Sequence, residues 1–166
     1  MPSSALVLTA GLGTRLRPLT CVRAKAALPV NGEPLVRRII RWLAALGISD
    51  LVLNLHHKPE TIAGLVGDGS DLDARVRYSW EQPVLGSAGG PRRALPLLAD
   101  PFLLVNGDTL TNVDLDALVQ LHHASGADVT MALIPKDNAP RVPIEGLRLR
   151  ELSRVDEALR IALDWS

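Results

Sequence analysis

This 166-residue chain predicts an α/β fold on a mainly parallel, doubly wound sheet, on three observations. Apolar runs of strand length alternate with helical patterns five times, the signature of successive βαβ units. The first run, residues 5–9 (ALVLT), is continuously apolar, as befits a strand buried on both faces. Three chemically distinctive segments each follow a strand directly: the glycine loop at 10–14, a loop at 81–90, and Asn106-Gly107-Asp108. In open α/β sheets ligands sit beyond the carboxyl ends of the strands, so these segments would line one rim.

The elements follow in order. After the strand at 5–9, Pro34 opens a helical pattern with Leu35, Ile39, Leu43 and Leu46 on one stripe, and Gly47 ends it. Residues 51–55 form the next strand, 59–66 a short helix and GDGSD a turn. Residues 76–80 read as a strand, 81–90 as a loop and 91–98 as a helix. A strand at 102–106, a helix at 115–125 and a strand at 129–134 complete the core. Beyond it, 135–145 is proline-rich, and Leu149, Leu152, Val155, Leu159 and Ala162 trace a closing helix. The expected organisation is an α/β core at 1–134 and an atypical C-terminal segment with a closing helix at 135–166.

Composition narrows the function classes. Hydrophobic residues make up 47% of the chain and mean hydropathy is +0.17, which supports a buried core rather than disorder. Eighteen basic residues balance eighteen acidic ones, against a general nucleic-acid binder, which carries a basic excess or face. No uncharged apolar run approaches the roughly 18 residues of a membrane helix, and no secretory leader opens the chain. The single cysteine, Cys21, excludes an internal disulfide and a cysteine-based metal cluster. A cytoplasmic protein is expected.

Residues 6–30, LVLTAGLGTRLRPLTCVRAKAALPV, carry the most chemistry. Backbone N–H groups of a glycine-rich turn can converge on phosphate oxygens because no Cβ blocks the approach. Arg15 adds a planar fork of donors, and Lys25, ten residues later, a movable point charge. Arginine outnumbers lysine fifteen to three, so an ammonium at 25 is a selective choice. The spacing excludes better-known glycine loops: Gly11-x-Gly13 is followed by Leu16 where a dinucleotide fingerprint needs glycine, and no G-x-x-x-x-G-K-[ST] occurs. Taken as an isolated pair, Arg15 and Lys25 would read as ordinary surface charges.

Two further segments complete the candidate site. The apolar run PFLLV ends on Asn106-Gly107-Asp108, which reads either as a turn or as a Mg²⁺ ligand beside the glycine loop. Glu81 offers acceptors for guanine N1–H and N2–H or for uracil N3–H, while Gly86, Ser87 and Gly89 are small enough for backbone to approach a base. The alternative is a flexible loop before a helix. His56-His57 and His122-His123 are adjacent pairs whose side chains diverge, so they read as structural or surface residues. Cys21 is assigned no catalytic role.

The run A-G-x-G-T-R-L-x-P-L-T, with K-x-x-L-P-V after it, resembles the start of the sugar-1-phosphate nucleotidylyltransferases. The N-G-D at 106–108 and the loop from Glu81 through Leu85-Gly86-Ser87-Ala88-Gly89 are similar to that family's N-G-D and E-x-x-x-L-G-T-A-G segments. The resemblance implies a three-layer α/β/α, Rossmann-like fold of the nucleotide-diphospho-sugar transferase type, shortened at the C-terminus. It implies transfer of a nucleotidyl group from a nucleoside triphosphate to a sugar-1-phosphate, with UTP and GTP both open. Arg15 and Lys25 would serve the triphosphate and the leaving pyrophosphate, Asp108 a Mg²⁺ ion and Glu81 the base. The implied nucleotide-binding set is Ala10, Gly11, Gly13, Thr14, Arg15, Lys25, Glu81, Gly86, Ser87, Asn106 and Gly107.

The resemblance covers about residues 6–134. The family's later sugar-binding glutamate and lysine and its second magnesium aspartate find no match, and Asp156, Glu157 and Asp164 read as an exposed helix face. The chain is then either shortened, leaving a nucleotide-binding or regulatory module, or completed by a partner chain or its closing helix; that helix, with Trp165, would pack on the uncovered sheet surface or mediate a homodimer. A third class, the molybdenum-cofactor guanylyltransferases, carries G-G-x-S-x-R where this chain has Gly11-Leu12-Gly13-Thr14-Arg15.

Overall fold

A computed structural model describes residues 1–132. They divide into two compact units, Met1–Thr111 and a second beginning at Asn112. The boundary expected between 134 and 135 lies outside the described residues, as do the proline-rich segment and the closing helix with its proposed dimer contact.

The first unit is built on a parallel sheet of β1 (Ser4–Leu8), β4 (Asp50–Leu55), β5 (Arg75–Trp80) and β6 (Leu103–Asn106), in the order β5-β4-β1-β6. A small antiparallel hairpin, β2 (Pro29–Val30) and β3 (Glu33–Pro34), turns through Asn31-Gly32. Both turn residues have positive φ, 49° and 78°, the conformation that Asn-Gly adopts most readily in two-residue hairpins. The crossovers carry α1 (Leu35–Ala45) from the hairpin to β4, α2 (Pro59–Val66) to β5 and α3 (Gly86–Ala94) to β6. The chain thus runs outward from β1 through β4 to β5, then returns to the opposite side of β1. The order reverses between β1 and β6, which is where doubly wound sheets open a crevice.

Helices cover both faces, as the continuous apolar strands require. Leu6 and Val52 face Ala94 of α3, with Leu97, Leu98 and Phe102 packed around them. Ala5, Val7, Leu51 and Leu53 alternate to the other face and are fully buried, together with Val36, Ile39, Ile40 and Leu43 of α1 and Ile62 of α2. β6 is the edge strand of the described sheet, and its Leu104 is half exposed.

Two expectations need correction. The helix expected at 91–98 is instead Gly86–Ala94, followed by a tight turn at Leu95–Leu97. The run Gly86-Ser87-Ala88-Gly89-Gly90 has low helix propensity, but tertiary contact overrides it, because the Glu81 carboxylate accepts the backbone N–H of Leu85 at the helix start, 2.8 Å away. The strand expected at 129–134 is absent over the described residues 129–132. In that second unit α4 (Leu115–Ser125) matches its expected span, capped by the Asp114 carboxylate accepting from Ala117 N–H at 3.0 Å and closed by Gly126 at φ 61°. No helix of the described residues is long and apolar enough to cross a membrane.

Candidate active site

The residues between β1 and α1 fold into a stiff loop. Gly13 sits at φ 61°, and a Cβ there would come within 2.7 Å of the Thr20 methyl, so only glycine fits. Thr20, buried, donates its hydroxyl to the Gly13 carbonyl at 2.8 Å, and His57 bonds the Thr20 carbonyl at 2.7 Å. His57 therefore anchors the loop to the body of the domain, a structural role in keeping with the sequence reading. Thr14 and Arg15 lie exposed on the short turn that follows Gly13.

Lys25 is placed by its neighbours. Ala24, Ala26 and Ala27 are buried around it, and the Ala24 N–H donates to Thr61 Oγ1 of α2 at 3.0 Å. With both flanks fixed, the lysine side chain extends from a rigid stem. It forms an ion pair with Asp108, which enters from the end of β6. Gly107 permits this approach: its N–H donates to the Leu8 carbonyl at 3.0 Å, and a Cβ would collide with that same oxygen.

Gly11, Gly13, Thr14, Arg15, Leu16, Lys25 and Asp108 line a cleft of about 180 Å³ at the β1–β6 reversal. Small-molecule sites usually run to about 300–1,000 Å³, so this space suits phosphate groups rather than a whole nucleotide. Its chemistry is mixed, with two cations and one carboxylate, as a metal-bridged polyphosphate needs. Among the described residues no group of three or more His, Cys, Asp or Glu could hold a metal by itself. A lone carboxylate beside a phosphate-sized space instead fits a hard cation that takes its remaining ligands from phosphate oxygens and water.

Burial opposes ionisation of Asp108, yet the hydrogen bond and charge of Lys25 outweigh it and hold the carboxyl below the ordinary 3.8. A depressed folded-state value contributes stability that is present above 3.8 and lost as pH falls through the folded value. The stability advantage of wild type over Asp108→Asn in urea unfolding should therefore persist at neutral pH and shrink as pH falls below 3.8. An advantage unchanged across that window would mean the pair does not act on this carboxylate.

The other expected site residues are not in this cleft. Asn106 is exposed at the end of β6, and Gly86 and Ser87 are exposed in the first turn of α3. Ala10 is buried with its N–H directed to Asn54 Oδ1 at 3.4 Å. Glu81, expected to read the base, is 3% exposed, with Oε1 accepting from Asn54 Nδ2 and Oε2 from Leu85 N–H, each at 2.8 Å. Each carboxylate oxygen thus accepts one hydrogen bond inside the protein. The sequence reading passed over Asn54, the residue that joins Glu81 to the glycine loop. The available signal was one amide interrupting the apolar strand DLVLNL.

The Nucleotidyl transferase family model matches residues 4–142. The chain belongs to that family. Among curated relatives of the chain are a mannose-1-phosphate guanylyltransferase of Mycobacterium tuberculosis, 39% identical over 131 residues, and an N-acetylmuramate alpha-1-phosphate uridylyltransferase of Neisseria meningitidis, 38% identical over 141. These alignments take in 78% and 84% of this chain but 36% and 61% of the relatives. The chain thus spans less than two thirds of their length. Among solved structures, HddC from Yersinia pseudotuberculosis complexed with GMP-PN superposes with a TM-score of 0.66 at 26% identity, covering 74% of this chain and 54% of that one.

Proposed function

We propose that this nucleotidyl transferase moves a nucleotidyl group from a nucleoside triphosphate to a sugar-1-phosphate, releasing pyrophosphate and forming a nucleotide sugar. The observation that carries the reading is the meeting of Lys25 and Asp108 on the wall of a phosphate-sized cleft, opposite the glycine loop. The relatives' guanylyl- and uridylyltransferase names support GTP or UTP as the donor. A cytoplasmic setting goes with it.

A phosphate monoester has a second pKa of about 6, so the attacking oxygen is already ionised at neutral pH and needs no general base. That oxygen bonds to the α-phosphorus, the bond from the α-phosphorus to its bridging oxygen breaks, and pyrophosphate leaves with the electron pair. The chain's part is positioning and charge neutralisation. The glycine loop offers backbone N–H groups to the phosphates, and Arg15 and Lys25 counter the charge that develops on the leaving pyrophosphate. Asp108 would hold Mg²⁺, which when bound would neutralise part of the phosphate charge.

The test is pyrophosphate release with Mg²⁺, each of UTP, GTP, dTTP and CTP in turn, and pooled sugar-1-phosphates. Release that needs both substrates, with UTP or GTP preferred, is the expected result. The limited span against the relatives favours one other reading, a nucleotide-binding module that does not turn over. Nucleotide binding by a folded sample that releases no pyrophosphate would replace the first reading with the second.

A further inference from the structure

Beneath the glycine loop lies a buried polar relay that touches neither the cleft nor solvent. Asn54, at the end of β4, stands between β1 and β5 in the sheet. Its Oδ1 accepts from the Thr9 N–H at 2.6 Å and from the Ala10 N–H at 3.4 Å, the residues that lead into the glycine loop. Its Nδ2 donates to Glu81 Oε1, and Glu81 Oε2 in turn accepts from Leu85 N–H, where α3 begins. Thr9, Asn54 and Glu81 are each 3% exposed. Helix α3 roofs the relay directly: a Cβ at Gly90 would come within 3.0 Å of Asn54 Nδ2 and closer still to Glu81 Oε1.

We propose that Asn54 and Glu81 are a positioning pair that locks the phosphate loop after β1 to the loop after β5. The proposal rests on the nucleotide-binding reading above for its use, though not for its geometry. β1 and β5 are not neighbours; their ladders run to β4 between them, and no ladder joins the two strands directly. Two side chains add a direct link between their terminal loops, through donors and acceptors of fixed direction. A nucleoside triphosphate that reaches from one loop to the other then meets a preset distance. Glu81 thus acts on the nucleotide through the loops it ties rather than through the base.

Hydrogen-bond direction supplies a specific test. In Glu81→Gln alone, the new amide can accept from Leu85 or from Asn54 but must present its NH₂ to the other donor; flipping Asn54 only moves the conflict to Thr9. In Asn54→Asp alone, two buried carboxylates face each other. In the double variant the carboxylate now at position 54 accepts from Thr9 and from the new amide at position 81, whose oxygen accepts from Leu85. All three links are restored, with one reversed.

The measurements are amide hydrogen exchange at Thr9, Ala10 and Leu85, and binding of UTP and of GTP with Mg²⁺. Each single variant should lose protection at both loops and bind nucleotide at least about tenfold more weakly; the double variant should regain protection and recover about tenfold over the worse single. A double variant as unprotected as its parents overturns the pair. So does a Glu81→Gln variant that keeps Thr9 protection yet changes the preference between UTP and GTP, since that result makes Glu81 a base contact. A wild-type chain that binds neither nucleotide overturns the functional reading, and the exchange data still decide the pair.

Discussion

Lys25→Ala and Asp108→Asn are each expected to slow nucleotidyl transfer on the order of a hundred- to a thousandfold, the roughly 3–4 kcal/mol that removal of one preorganised charge stabiliser commonly costs. Both variants should stay folded. The side chains are 29% and 39% exposed, so the partner left behind turns to solvent rather than remaining as a buried, unpaired charge. The stem of Lys25 is fixed by Ala24, Ala26 and Ala27, none of which the substitution touches. The two losses should differ in kind. Removing the ammonium leaves Asp108 with more room for Mg²⁺ while weakening the hold on the triphosphate; removing the carboxylate should flatten the dependence on Mg²⁺ concentration. Pyrophosphate release over a Mg²⁺ titration, with circular dichroism as the control for folding, reads both. Unchanged turnover in either variant would take that residue out of the chemistry.

The second large effect is expected at Gly107. In Gly107→Ala the added methyl falls on the Leu8 carbonyl oxygen and within 2.8 Å of Thr9 Cγ2. The oxygen belongs to backbone in the central strand and cannot rotate aside, so the end of β6 must move away from β1. Overpacking of this kind costs about 1–3 kcal/mol in stability. Activity should fall by more than stability predicts, because the displaced residue next in the chain is Asp108. Melting temperature and pyrophosphate release, compared with an alanine substitution at exposed Leu104 of the same strand, separate the two effects. Full activity in Gly107→Ala would mean that the approach of β6 to the Leu8 carbonyl does not set the position of the carboxylate.

The chemistry of the cleft was legible in the sequence because it is written locally. Gly13, Arg15 and Lys25 lie within a dozen residues of one another, and Asp108 ends an apolar run of strand length. The sheet was legible for a similar reason, since runs such as ALVLT and LVLNL are too short for a buried helix and too apolar for a loop. Long-range hydrogen bonds were not legible. Asn54 gains its meaning from Thr9, 45 residues earlier in the chain, and from Glu81, 27 residues later. The same contacts start α3 at Gly86, where propensity argued for a loop, and they turn Glu81 inward, where its charge suggested a base. The hairpin at Asn31-Gly32 was passed over although its dipeptide is a strong local signal; its strands are only two residues each, too short to show an alternating pattern.

The position of β1 has a consequence for synthesis of the chain. It is made before the other strands of the described sheet, yet it is an inner strand, paired with Asp50–Leu55 on one side and Leu103–Asn106 on the other. At roughly 5–20 residues per second it waits several seconds for its second neighbour. During that interval the glycine loop can fold against β4, but the carboxylate that faces it has not yet been made. β6, the last strand of the described sheet to be made, therefore does two things at once: it covers the exposed flank of β1 and delivers Asp108 to Lys25, so the cleft gains its carboxylate only when that strand docks.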